Sequence, residues 1–312
     1  MTRKRGAPPR AAGAPRATFE DEGTPRAAQA VSVGQRSAST SGNDSSPLVG
    51  SEIESLRLES FQLLHRIQVS EYSGTRLAKL TSTGALVSIK SISKLGLHDA
   101  NEYDLLKSEV LNHLRVQEHP FVLGFHGAFV DQAAVHLVHE FCPAGDLSGL
   151  IEEAAERGHG MGEAAVKVFA AEVVLALDDI HSQGIIFRNL NPDNVLLDSD
   201  GHARLTNFGA SKRVPEGGRT LTQCGTEDYL APEILQNLGY TNAVDWWAFG
   251  VLLFEMVTGY RPFASDSKED LLAEAIIRNQ PRWPTSGMGP KLRMLLEHLL
   301  CSSLNVRLAL SF

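Results

Sequence analysis

The stretch D-W-W-A-F-G-V-L-L-F-E-M-V (245–257) sets the tightest limit on what this chain folds into. At helical periodicity it is apolar nearly all round, so no face of it belongs in water, and it must lie at the centre of a domain. A bilayer is the other apolar solvent, but crossing one takes about 18 or more consecutive apolar residues. The best runs here, such as V-L-L-F-E-M-V at 251–257, are broken by a carboxylate. A soluble protein without a membrane span is expected.

The rest of the chain is sized to surround such a helix. Its 312 residues, 43% hydrophobic and 21% charged, suffice for one large domain or two lobes sharing a cleft. Cys142, Cys224 and Cys301 lie far apart with no CxxC pairing, which fits a reducing compartment and argues against a zinc ribbon. The net charge of −8 is uneven, because residues 1–50 hold seven Arg and Lys against four acids. The remaining body, with 22 basic and 33 acidic side chains, is a poor match for nucleic-acid phosphate and a reasonable one for cationic partners.

Residues 1–55 are rich in Pro, Ala, Ser and Arg, with no apolar period of 2 or 3.6. Such a segment cannot repay its ordering entropy by burial, and a disordered, solvated tail is expected. Its basic start, T-R-K-R, leaves the nucleus open beside the cytoplasm, the default compartment. From residue 59 short alternating segments read as antiparallel strands, with R-L-A-K-L and A-L-V-S-I-K separated by the hairpin-like T-S-T-G. D-L-L-K-S-E-V-L-N-H-L-R places Leu106, Val110 and Leu114 on one helical stripe, and strands follow in 121–130 and 134–141. After Cys142 the pattern is helical: a five-turn helix over 164–181 stopped by Gly184, the apolar helix, and two more near 268–278 and 290–300.

F-R-N-L-N-P-D-N-V-L-L-D (187–198), T-N-F-G (206–209), C-G-T-E-D-Y-L-A-P-E (224–233), D-W-W-A-F-G (245–250) and a late Arg307 follow one another in the order and spacing of the protein-kinase signature set. Over about residues 59–310 the chain resembles the eukaryotic protein kinase family, and D-W-W-A-F-G with T-L-T-Q-C-G-T is most similar to its AGC group of serine/threonine kinases. The resemblance implies an α+β, bilobal kinase fold. A small antiparallel sheet with one helix (about 59–140) would be joined to a larger, mainly helical lobe (about 144–312), with ATP between them. Lys90 and Glu109 would form the ion pair that positions phosphates. Glu140 to Cys142 would be the hinge, with Ser88, His139 and Leu196 beside the base. Asn194 would be a metal ligand, Glu233 would pair with Arg307, and Asp245 would anchor the catalytic loop. The family pattern continues past Arg307 with a further helix and an aromatic-ended tail, so the resemblance also implies a shortened large lobe.

The departures from the pattern bear on activity. Where the family has the Asp that accepts the substrate hydroxyl proton, this chain has Asn189, and positioned general-base catalysis is worth about 10²–10⁴ in rate. Where the family has the magnesium-binding Asp, Asn207 offers a neutral carbonyl oxygen to a hard cation, so the resemblance implies weakened Mg²⁺ binding. Asn191 replaces the lysine that meets the γ-phosphate. Gln68, Ser70 and Ser73 occupy the three glycine positions of the phosphate loop, with Glu71 between them. Four defects converge on one transition state, and the reading they favour is a pseudokinase acting as a scaffold or allosteric partner.

Other family features persist. Thr222 matches the activation-loop phosphosite, with Arg188 and Lys212 placed to receive its phosphate. Asp146, Asp193 and Glu255 match positions that bind substrate arginine, implying an acidic groove for a protein or basic peptide partner. His113 and His139 stand where the family has an apolar residue linking the lobes and the residue beside adenine, and a buried imidazole needs a partner or stays neutral. Two alternatives stay open: a low-activity ATP-dependent serine/threonine kinase, and a binder of basic peptides that needs no nucleotide. The oligomeric state is left unspecified.

Overall fold

The computed structural model describes residues 56–97, 100–263, 269–303 and 307. The expected tail at 1–55 and the stretch after Arg307 lie outside the described residues. The front of the chain forms a five-stranded antiparallel sheet in the order β1-β2-β3-β5-β4. Its strands are β1 (Phe61–Val69), β2 (Ser73–Leu80), β3 (Leu86–Ser93), β4 (Phe125–Val130) and β5 (Ala134–Glu140). T-S-T-G closes the β2–β3 hairpin, with the Leu80 amide donating to Ala85 O at 2.8 Å. One helix, α1 (Ala100–Val116), leans on the sheet and brings Leu106, Val110 and Leu114 against Phe125, Val135 and Leu137, the stripe the sequence predicts.

Two boundaries differ from expectation. Lys90 lies inside β3 rather than at its end, because pairing with β5 continues from Val87↔Glu140 to Ser93↔Ala134. The strand expected over 121–130 starts at Phe125, because the residues before it are bonded to the helical half instead. There the Leu123 amide donates to Leu205 O at 2.9 Å, and the Leu205 amide to Phe121 O at 2.8 Å.

The helical half contains α2 (Leu147–Glu156), α3 (Glu163–Ser182), the short α4 (Pro232–Leu235), α5 (Ala243–Thr258), α6 (Glu269–Ile277) and α7 (Pro290–Leu299). The two-stranded pairs β6 (Ile185–Ile186) with β9 (Lys212–Arg213) and β7 (Val195–Leu197) with β8 (Ala203–Leu205) complete it. As its composition requires, α5 is the centre, with 13 of its 16 residues buried. The face of α3 carrying Val166, Phe169, Val173, Ala176, Leu177 and Ile180 joins the same core. The chain leaves α5 through Gly259, whose φ of +78° suits glycine. Gly250 lets α7 come close, since a β-carbon there would lie 2.8 Å from Leu299 Cβ. Among the described residues no helix is long and apolar enough to cross a membrane.

Candidate functional site

The site is built on the segment between β6 and β7, which the core helix holds from beneath. Asp245, 1% exposed, accepts the Phe187 amide at 2.8 Å, the Arg188 amide at 2.7 Å and His181 Nε2 at 2.7 Å. A carboxylate this deep persists only when its oxygens are satisfied, and here they fix the backbone leading to Asn189. Arg188 takes a left-handed φ of +66°; its Nε donates to Ala210 O at 2.5 Å and its Nη1 to Tyr240 Oη at 3.1 Å.

Above this segment a cleft of about 610 Å³ opens between the sheet and the helices. It brings together Gln68, Ser70, Ser73, Ser88, Lys90, Glu109, His113, His139, Cys142, Asp146, Asp193, Asn194, Leu196 and Asn207. Within it Lys90 Nζ meets Glu109 Oε1 at 2.7 Å, the predicted strand-to-helix ion pair. The amides form a network of their own. Asn207, with φ of +66°, donates from Nδ2 to Asn194 Oδ1 at 3.1 Å, and Asn194 Nδ2 donates to the Asn189 carbonyl at 2.8 Å. Asn191 has become a cap: its Oδ1 accepts the Asn194 amide at 3.2 Å while its Nδ2 donates to Thr226 Oγ1 at 2.8 Å. Thr226 Oγ1 in turn lies 3.4 Å from Asn189 Oδ1.

The loop over the cleft is a tight turn. The Ser70 amide donates to Ser73 O at 2.8 Å and the two hydroxyls are 2.7 Å apart, so Ser70, which stands at a glycine position, spends its N–H within the turn. The Ser88 hydroxyl donates to Glu140 O at 3.1 Å, engaging a carbonyl of the segment expected to be the hinge. Burial, reinforced by Glu140, pushes the Cys142 thiol up to about 12, so it stays protonated. Behind these residues His139, His113 and Phe208 stack in sequence at centroid distances of 5.3 and 4.6 Å, and Phe208 meets Phe187 edge-on at 5.1 Å. His113 Nε2 donates to Leu123 O at 2.7 Å. Desolvation brings His113 down to about 4 and takes His139 well below its ordinary value, so both rings are neutral at pH 7 and pack as an aromatic column through the cleft.

Both cations expected near Thr222 are bonded to residues beside it. Lys212 Nζ donates to Thr220 Oγ1 at 3.0 Å, and that hydroxyl is 3.5 Å from Thr222 Oγ1. Arg188 reaches this segment through Tyr240, whose hydroxyl donates to Thr222 O at 2.5 Å. Of the three acids expected in a groove, Asp146 and Asp193 line the cleft, and each of the three has a different setting. Asp146 caps α2, accepting the Gly149 amide at 3.1 Å, and Asp193 sits exposed at the cleft edge. Glu255 is held by the Tyr229 hydroxyl and lies 3.6 Å from Arg261 Nε, and burial raises its carboxyl above the ordinary range. Arg261 and Thr226 were not singled out from the sequence. Thr226 lies within the quoted C-G-T-E string, and Arg261 is the one charge in G-Y-R-P-F (259–263), the signal that marks it.

Glu233 and Arg307 pair at 2.7 Å in the core. The chain matches the family described as Protein kinase domain over residues 62–311. It is similar to the cAMP-dependent protein kinase catalytic subunit of Dictyostelium discoideum, 36% identical over 67% of this chain and 31% of that protein. It is 33% identical to cAMP-dependent protein kinase type 3 of Saccharomyces cerevisiae over 80% of this chain and 61% of that one. Against Ribosomal protein S6 kinase alpha-4 of Homo sapiens it is 35% identical over 81% of this chain and 35% of that one. The matched stretch thus spans less than two thirds of each of these relatives.

Proposed function

The chain belongs to the eukaryotic protein kinase family, on its AGC-like branch, and from that premise we propose that it is a pseudokinase that signals by binding rather than by phosphoryl transfer. The observation that carries this reading is the 3.1 Å hydrogen bond from Asn207 to Asn194. Two neutral amides turned on each other supply no anionic oxygen to a hard divalent cation, so the donor set does not fit Mg²⁺. Asn189 adds the missing base: an amide has no proton-accepting carboxylate to offer a substrate hydroxyl. Asn191, engaged as a cap, brings no charge to a terminal phosphate.

An adenine nucleotide is the ligand the cleft fits. The Lys90–Glu109 pair is made, which places an ammonium for phosphate oxygens, and the cavity is open from the hinge to Asn207. When bound, the nucleotide supplies a transferable phosphoryl group; the residues here hold and orient it without activating an acceptor. The output we assign is a scaffolding or allosteric one toward a protein partner bearing basic residues, which Asp193 at the cleft edge favours electrostatically. The intact ion pair also supports a second reading, a weak serine/threonine kinase.

The test is labelled-phosphate transfer from Mg-ATP to an arginine-containing serine peptide, comparing the chain with its Asn189→Asp, Asn207→Asp double variant. The native chain is expected to be inert and the variant to gain at least about 10²-fold. Transfer by the native chain that disappears with Lys90→Met refutes the proposal and establishes the second reading.

A further inference from the structure

Three carboxylates lie near one another beside the cleft, and the chain supplies one of its own cations to them. Glu255, on the last turn of α5, is mostly buried and feels the charges of Asp193 and Asp228. Arg261, two residues past the glycine that ends the helix, folds back over this group. Its Nη1 is hydrogen-bonded to Asp228 Oδ2 and its Nε lies 3.6 Å from Glu255 Oε1. The Tyr229 hydroxyl holds the other Glu255 oxygen. The Arg261 side chain keeps 43% of its exposure, so the guanidinium can leave without repacking the core. Asp193, at the cleft lip, forms no ion pair among the described residues.

We propose that Arg261 is a specificity residue: an internal guanidinium seated on Glu255 and Asp228, where an arginine of a bound peptide would otherwise lie, so that a peptide must displace it to use those acids. This rests on the reading of the groove as a binder of basic peptides. The chemistry follows from the geometry. A guanidinium satisfies planar carboxylates through two or more N–H groups, and a second one cannot share the same oxygens at full strength. Tethering favours the internal occupant over a peptide, because Arg261 competes at the high effective concentration of an intramolecular ligand. Asp193 is left as the acid for an incoming cation, so the chain accepts peptides with fewer arginines than the three carboxylates alone would favour.

The experiment measures fluorescence-anisotropy binding of two serine peptides, one with two arginines before the serine and one with both replaced by glutamine. They are titrated into the full chain, Arg261→Ala, Arg261→Gln, and Arg261→Ala combined with Glu255→Gln. Removing Arg261 is expected to tighten the arginine peptide about three- to tenfold, leave the glutamine peptide unchanged, and lose the gain when Glu255 is also neutralised. Two outcomes overturn the inference in distinguishable ways. If the native chain and both single variants bind the arginine peptide equally, the groove reading stands and Arg261 has no role in it. If neither peptide binds any of the folded proteins, the groove reading itself fails and the inference falls with it.

Discussion

Replacing Glu233 by glutamine should cost this protein a large part of its stability. Glu233 is in the first turn of α4, 5% exposed, and its partner Arg307 is fully buried. Arg307 Nη2 lies 2.7 Å from Glu233 Oε2, Nη1 donates to Ala243 O at 3.2 Å, and the guanidinium sits 5.2 Å from the Trp247 ring centroid. Glu233→Gln keeps the shape and one acceptor oxygen but leaves a guanidinium in the core without its counter-charge. Removing one member of a buried pair costs about 3–5 kcal/mol, against a typical total of about 5–15 kcal/mol. At about 2–4 °C per kcal/mol for a domain of this size, the thermal midpoint should fall by roughly 6–20 °C. The assay is urea unfolding followed by far-ultraviolet circular dichroism, with thermal melts beside it. Adding Arg307→Met to Glu233→Gln removes the stranded charge and should recover much of the loss. A single-variant loss below about 1 kcal/mol, or a double variant worse than the two singles combined, refutes the reasoning that the pair is desolvated and interdependent.

Two further outcomes follow from the cleft. Lys90→Met removes the ammonium held by Glu109 and should weaken a fluorescent ATP analogue by about tenfold or more, since hydrogen bonds to charged groups contribute about 1.5–3 kcal/mol; unchanged affinity would mean the phosphates bind elsewhere. His113 titrates near 6.5 when unfolded and about 4 when folded, so its contribution is complete above about pH 6.5, declines as pH falls, and is gone below about 4. His139, lowered in the same direction, adds to it, each with a slope of at most about 1.4 kcal/mol per pH unit. The His113→Leu, His139→Met double variant should show a shallower stability loss over that window in urea titrations at stepped pH, and an identical slope would refute the assignment.

Much of the architecture is legible in local pattern. Alternation in R-L-A-K-L and A-L-V-S-I-K is enough to announce a hairpin, and the stripe Leu106, Val110, Leu114 announces the helix against it, because burial of one face imposes its period on the sequence. Boundaries were less legible: β3 runs on past Lys90 because its ladder with β5 continues, and a ladder is set by the partner strand. The segment at 121–124 looks like strand but is held by Leu205, 82 or more residues away, which no window of neighbouring residues contains.

The sequence by itself determined which chemical groups stand in and beside the cleft: a lysine and a glutamate, Lys90 and Glu109, and amides at Asn189, Asn191, Asn194 and Asn207. That information lies in residue type and motif spacing, and no folding detail turns an amide into a carboxylate. The tertiary structure alone decided how those groups are spent. It turned Asn207 onto Asn194, made Asn191 a cap bonded to Thr226, stacked His139 on His113, and folded Arg261 back onto Asp228 and Glu255. Hydrogen bonds and ion pairs weaken within an ångström or so of their best distance. They therefore depend on where packing delivers each side chain, while the periodicity of a sequence records only which face is buried.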